Sequence, residues 1–267
     1  MLTIDQIIRS ERPKPLIIAH RGASYYFHEN TMEAFSAAVD MHAEMIEFDV
    51  LRTSDGILVI HHDPDVNGAL ISEMTLEEVK EAASGSGYAI PTLIEVLEFC
   101  KGKIALDIEL KEAGYEEQAL ETVLGILAPD RFIFTSVQDS VIRKIKDLQP
   151  GIRTGFILSS HPRWQLLTKL YPGARARRAG ADVLVVSQKL LRFGFLSTTR
   201  GLGLPVWVYT INDRQELWKI IKEERISGIF TDRPDLGLLL RDLHAAGQKS
   251  EPGMQDPEMP PGNGVSE

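Results

Sequence analysis

Short apolar runs alternate with amphipathic stretches along most of this chain, and that alternation constrains the fold more than any other feature. Runs at 16–20, 45–50, 57–61, 104–110, 132–135, 153–158, 183–186, 206–210 and 229–231 read as strands. Between them, 30–41, 75–83, 93–100, 116–127, 137–148, a region near 162–179, 213–224 and 236–246 read as helices. Asn30 is placed to cap the first of these, with Glu33 as its reciprocal partner. Strand–helix alternation implies a parallel sheet. One pair of runs cannot be parallel neighbours, because only Leu51–Gly56 separates Val50 from Ile57 and a parallel crossover needs about a dozen residues. Asp55-Gly56 is a hairpin-turn dipeptide, so 57–61 is expected to fold back on 45–50. With a turn centred on Ser54-Asp55, His62 would lie opposite Glu47. The remaining eight strands fit an α/β fold of one closed (β/α)8 TIM barrel, with a small insertion after its second strand. A doubly wound open sheet is the alternative, since strand counting does not establish closure.

Length and composition narrow the classes. The 267 residues suit one large domain with a core that needs no disulfides, and the single Cys100 cannot form an intramolecular bridge. No apolar run approaches the ~20 residues of a membrane span. The start of the chain lacks the basic, apolar and small-residue pattern of a signal peptide, so a cytoplasmic location is expected. A formal net charge of −9 disfavours a duplex-DNA binder.

Charged residues at the ends of apolar strands carry the chemical signal. The first strand ends His20-Arg21-Gly22, the second carries Glu47 and Asp49, and the third carries Asp107, Glu109 and then Lys111. A lone acid at a strand rim commonly pairs with an arginine. Three acids converging at one barrel mouth repel one another unless a cation lies among them, and oxygen ligands favour Mg2+ or Ca2+. Glu47, Asp49 and Glu109 are the metal-ligand candidates. His20 and His62 suit acid–base work at a phosphoryl centre, and Asp63 is placed to fix the tautomer of His62. Arg21 and Lys111 are read both as phosphate contacts and as counter-ions.

HRGA at 20–23, ENT at 29–31, IEFDV at 46–50, T-S-DG at 53–56, HDP at 62–64, IPTLIEVL at 90–97, IALDIELK at 104–111 and GIFTDRP at 228–234 resemble the glycerophosphodiester phosphodiesterase family over about residues 16–240. The resemblance implies a (β/α)8 barrel with a small insertion after the second strand. It also implies one divalent cation (Mg2+ or Ca2+, with Mn2+ acceptable) on Glu47, Asp49 and Glu109. It further implies catalytic His20 and His62, and phosphate contacts from Arg21 and Lys111. The implied activity is a phosphoric diester hydrolase releasing sn-glycerol 3-phosphate and an alcohol through a cyclic phosphate, with His20 as base and His62 as leaving-group acid. The expected partner is a small-molecule phosphodiester and not a nucleic acid. A lysophospholipase D acting on lysophospholipids and a non-catalytic phosphate-binding barrel are the alternatives.

Some positions depart from the family pattern. His28 stands where a proline precedes ENT, and is either a rim group or a solvated loop residue. Tyr209 stands where the family often has a tryptophan beside the glycerol end of the pocket, so Tyr209 is taken as substrate-binding. Tyr25, Tyr26 and Phe27 form either an apolar rim or a packing surface for the insertion, and Glu29 is expected to brace the first loop by accepting backbone N–H bonds. Arg175, Arg177 and Arg178 read as a solvated helix face or a headgroup site. The barrel is expected over 1–246, with the insertion at about 51–90 and a disordered acidic Pro/Gly-rich tail at 247–267. Glu251, Asp256, Glu258 and Glu267 put part of the negative charge in that tail, and the three candidate ligands put more of it under a cation. The acidic total therefore does not exclude an anionic substrate.

Overall fold

The structure is a computed structural model that describes residues 3–8, 15–159, 172–191, 195–199, 201 and 203–248. Its strands are β1 (Leu16–His20), β2 (Met45–Arg52), β3 (Leu58–Ile60), β4 (Asp65–Val66), β5 (Ala69–Leu70), β6 (Ala105–Leu110), β7 (Phe132–Ser136), β8 (Thr154–Leu158), β9 (Val183–Ser187), β10 (Val206–Tyr209) and β11 (Gly228–Thr231). Eight of them run in parallel order β1-β11-β10-β9-β8-β7-β6-β2, and β1 pairs with β2 to close the ring. Closure removes the open-sheet alternative: Ala19 lies opposite both Thr231 and Ile46, so neither side of β1 is an edge. No helix among the described residues is long and apolar enough to cross a membrane. The expected tail from 249 onward and the part of the 162–179 helix before 172 lie outside the described residues.

Side chains alternate along a strand, and here the alternation sorts chemistry by height. The inward row begins apolar at the base, with Leu16, Ile18, Met45, Ala105, Ile133, Val183, Val185, Trp207 and Phe230 in one buried cluster. Two residues further along the same strands, the row becomes His20, Glu47 and Asp107, and then Asp49 and Glu109. Outward-facing residues such as Ile46, Phe48 and Ile108 pack beneath helices, where Phe35 and Ala38 of the helix Met32–Asp40 meet them.

The hairpin forms as expected, but one residue out of the expected register. Val50 pairs with Ile60 and Arg52 with Leu58. The connection holds three residues because Gly56 takes φ +83, and Thr53 N–H then donates to the Ile57 carbonyl at 2.9 Å. The ladder ends as His61 N–H donates to the Asp49 carbonyl. His62 therefore leaves the strand at the mouth instead of pairing with Glu47. The rest of the insertion builds its own small core from Leu51, Val59, Val66, Ile71, Val79 and Ile90.

The helix Met32–Asp40 corrects another expectation. Its cap is Thr31, whose hydroxyl accepts from Ala34 N–H, and not Asn30. Asn30 takes φ +58, a conformation Asn tolerates, and turns its amide into the barrel mouth.

Candidate active site

Two backbone features set the first loop. Arg21 sits at φ +57, which aims its N–H at Glu47 Oε2, 3.0 Å away. Gly22 follows at φ +85, where a Cβ would stand 2.6 Å from the Ala34 carbonyl carbon, so only glycine fits. Left-handed non-glycine residues are uncommon and concentrate at functional sites. Arg21 and Asn30 are two of them at this mouth, and their backbones are joined by Asn30 N–H donating to the Arg21 carbonyl.

A cavity of about 270 Å³ opens at the barrel mouth, lined at one end by His20, Arg21, Glu47, His62, Glu109 and Lys111. Ile157, Val185, Tyr209 and Phe230 line an apolar side of the same cavity. A larger groove of about 790 Å³ runs between Phe27, Met32 and the insertion at Tyr88 and Pro91, and contains none of the three candidate ligands or two candidate catalytic histidines.

Glu47, Asp49 and Glu109 are the acids the sequence singled out, and each offers an oxygen within 4.8 Å of the others. Burial pushes the Glu47 carboxyl well up, and the Asp49 charge adds to it. Glu109 is likewise raised by burial and by Asp49, to about 7. Burial also pushes Asp49 up, but Lys111, Arg21 and a hydrogen bond from Asn30 outweigh it and hold Asp49 at about 2. Lys111 Nζ lies 3.0 Å from Asp49 Oδ1 and 3.4 Å from Glu109 Oε1, and Arg21 Nε lies 3.1 Å from Asp49 Oδ2. Two raised carboxyls beside an ionised third mark a site short of positive charge, and an all-oxygen donor set fits a hard divalent ion.

Both histidines face the cavity with a carboxylate behind them. His62 Nδ1 lies 2.8 Å from Asp63 Oδ1, the partner expected from the sequence. Burial lowers the His62 ring, and the charges of Lys111 and Arg21 lower it further. His20 Nδ1 lies 2.7 Å from Asp232 Oδ1, and its Nε2 lies 3.5 Å from the Thr210 hydroxyl.

Other expectations resolve individually. Tyr209 lines the cavity edge-on to Phe230, and its hydroxyl donates to the Leu158 carbonyl at 3.4 Å. Glu29 accepts from Arg21 Nη1 at 2.8 and 2.9 Å, so it holds the guanidinium and not the loop backbone. His28 is exposed yet stacks on Tyr88 of the insertion, ring centroids 3.8 Å apart. Tyr25 is exposed, whereas Tyr26 turns in and donates to Asp235. Arg175 pairs with Asp139 and covers the Phe156 ring, while Arg177 and Arg178 face solvent. Three further residues join the site without being marked by the sequence motifs. Asn30 donates to Asp49 Oδ2 at 2.9 Å. Asp107 lies in the cavity floor, where Thr135 donates to its Oδ1 at 2.7 Å. Asp232 follows the last described barrel strand, where the rule applied to the first three strands, a charged residue at the end of an apolar run, also points.

The sequence profile of the glycerophosphoryl diester phosphodiesterase family matches residues 20–236. The chain belongs to this family. It is 30% identical to a glycerophosphodiester phosphodiesterase of Caldanaerobacter subterraneus subsp. tengcongensis, over 83% of this chain and 96% of that one. It is 31% identical to a glycerophosphodiester phosphodiesterase of Bacillus altitudinis, over 85% and 98%. Among solved structures, an Oleispira antarctica phosphodiesterase in complex with the product sn-glycerol-3-phosphate superposes with a TM-score of 0.72 at 26% identity, covering 86% of this chain and 97% of that one. Membership makes the chain a phosphodiesterase, a hydrolase built on a TIM barrel.

Proposed function

We propose that the protein hydrolyses glycerophosphodiesters to sn-glycerol 3-phosphate and an alcohol, using a divalent cation and two histidines. The observation that carries this reading is the convergence at one barrel mouth of three clustered acids, two of them lining the cavity, with two cations and two carboxylate-backed histidines. The Oleispira antarctica relative, which holds sn-glycerol-3-phosphate, supports the substrate class.

Glu47, Asp49 and Glu109 would hold the ion, Mg2+ or Ca2+, with Mn2+ suited to the same ligands. When bound, the ion supplies positive charge against the negative charge that grows on the phosphoryl oxygens. Arg21, its fork braced by Glu29, and Lys111 bind the remaining phosphate oxygens. Nε2 of His20 takes the proton from the glycerol hydroxyl next to the ester, and that oxygen bonds to phosphorus. The bond from phosphorus to the alcohol breaks, and His62 donates a proton to the departing oxygen. His62 then takes a proton from water, whose oxygen attacks the cyclic phosphate. The ring P–O bond breaks, and His20 returns its proton to the freed glycerol oxygen. Both histidines finish as they began. Tyr209 and Phe230 form the apolar wall beside the glycerol carbons. The catalytic unit in this reading is residues 1–246, with 51–90 as the insertion that delivers His62.

Release of glycerol 3-phosphate from glycerophosphocholine, with and without EDTA, tests the reading. Turnover that EDTA abolishes and Mg2+ or Ca2+ restores is expected. His20→Ala and His62→Ala should each reduce kcat by about 10²–10⁴-fold. Metal-replete protein that cleaves neither glycerophosphocholine nor lysophosphatidylcholine would sink it.

A further inference from the structure

We propose that Asp232 is the positioning residue for His20, holding the ring in the Nδ1–H tautomer so that the Nε2 lone pair faces the substrate. The inference rests on the phosphodiesterase reading above and assigns a role that none of the sequence motifs had indicated.

The contacts of Asp232 leave one arrangement of protons. Its Oδ1 lies 2.7 Å from His20 Nδ1, and its Oδ2 accepts from Asn212 Nδ2. Asn212 is itself fixed. Its Oδ1 accepts from Asp232 N–H at 2.8 Å and from the Thr231 hydroxyl at 3.2 Å, so its amide nitrogen must face the carboxylate. An ionised carboxylate only accepts, so Nδ1 must be the donor. Burial pushes the Asp232 carboxyl up, but the contacts with His20, Asn212 and Ser24 outweigh it and keep it below the ordinary range. The backbones that carry the pair are tied to the same loop as well, because Ser24 Oγ donates to the His20 carbonyl at 2.7 Å and Tyr25 N–H donates to the Asp232 carbonyl at 3.1 Å. Nε2 is then the only ring nitrogen left to the cavity.

Asp232→Asn makes the discriminating variant. Retaining Asn212's amide next to the new side chain places the new carbonyl toward Asn212 and the new NH2 toward Nδ1. Nδ1 must then accept, and the proton moves to Nε2. A long-range 1H–15N spectrum of 15N-histidine-labelled protein at roughly pH 8.5, above the usual histidine range, reads the tautomer directly. The His20 signal is identified by its loss in His20→Gln. Nδ1–H in the wild type and Nε2–H in Asp232→Asn are expected. In parallel, kcat on glycerophosphocholine should fall about 10²–10⁴-fold with KM changed by no more than a few-fold, and Asp232→Glu should recover part of the rate. Asp232→Asn in a His20→Ala background should cost little more. Nε2–H in the wild type overturns the inference without recourse to any variant, as does an Asp232→Asn protein with near-normal kcat. The tautomer is measured whether or not turnover is found. A wild type that cleaves no glycerophosphodiester therefore fails the functional reading alone, and a wrong tautomer fails this inference alone.

Discussion

Asp49 and Glu109 stand directly opposite each other on the parallel strands β2 and β6, two carboxyls on one inward row. Lys111 reaches both, 3.0 Å from Asp49 and 3.4 Å from Glu109. Lys111 and Arg21 bring two positive charges to three acids, and burial together with the Asp49 charge holds the Glu47 and Glu109 carboxyls up.

Cation binding should therefore expel protons. Below about pH 7 Glu109 carries a proton that an incoming ion must displace, so apparent Mg2+ or Ca2+ affinity should fall as pH drops from 7 to 5. Titration calorimetry in two buffers of different ionisation enthalpy measures the protons released. Identical heats in both buffers would count against Glu109 as a ligand.

The metal-free protein should show the same linkage in its stability. Glu109 has an ordinary value of 4.5 and is raised to about 7 by burial and Asp49. Its favourable contribution is complete below pH 4.5 and is lost as pH rises through 7. Between pH 5 and 7.5, Glu109→Gln should flatten the decline in melting temperature measured in EDTA, and saturating cation should do the same to the wild type.

Asn30 should matter through Asp49. Asn30→Gly keeps the left-handed backbone but removes the amide that donates to Asp49 Oδ2. Loss of such a supporting contact typically costs about 10–100-fold in metal affinity, and that is the expected outcome by calorimetry. Unchanged affinity would leave Asn30 with a backbone role only.

Gly22→Ala should destabilise the fold and disturb the loop bearing His20 and Arg21. The added methyl meets the Ala34 backbone at 2.6 Å with φ at +85. A cost of at least about 1–3 kcal/mol in urea unfolding is expected, together with reduced turnover.

Arg21→Lys tests the fork. The guanidinium makes two contacts to Glu29 from one nitrogen while Nε lies against Asp49. An ammonium cannot span both, so kcat/KM should drop by the equivalent of about 1.5–3 kcal/mol, measured by steady-state kinetics.

Some of this site was legible in the chain because strand periodicity fixes which residues share a face. Glu47 and Asp49 are two apart on β2, and Glu109 follows Asp107 by two on β6. His62 was found because Asp55-Gly56 announces a hairpin, although Gly56 made the loop three residues long and moved the pairing by one. Asn30 reads as a helix cap because Asn caps well, yet Thr31, also a good cap, takes the role one residue later. The choice between them came from the buried Asp49, which needs the amide of Asn30.

The sequence by itself determined the alternation, the strand faces and the acids on them, since these depend on residue type and spacing along one segment. Only the tertiary structure decided the pairing of His20 with Asp232. They are 212 residues apart, and they meet because β1 takes β11 as its neighbour when the barrel closes. No local periodicity encodes that closure. It comes from the packing of every strand against the next, which leaves the last strand of the chain beside the first.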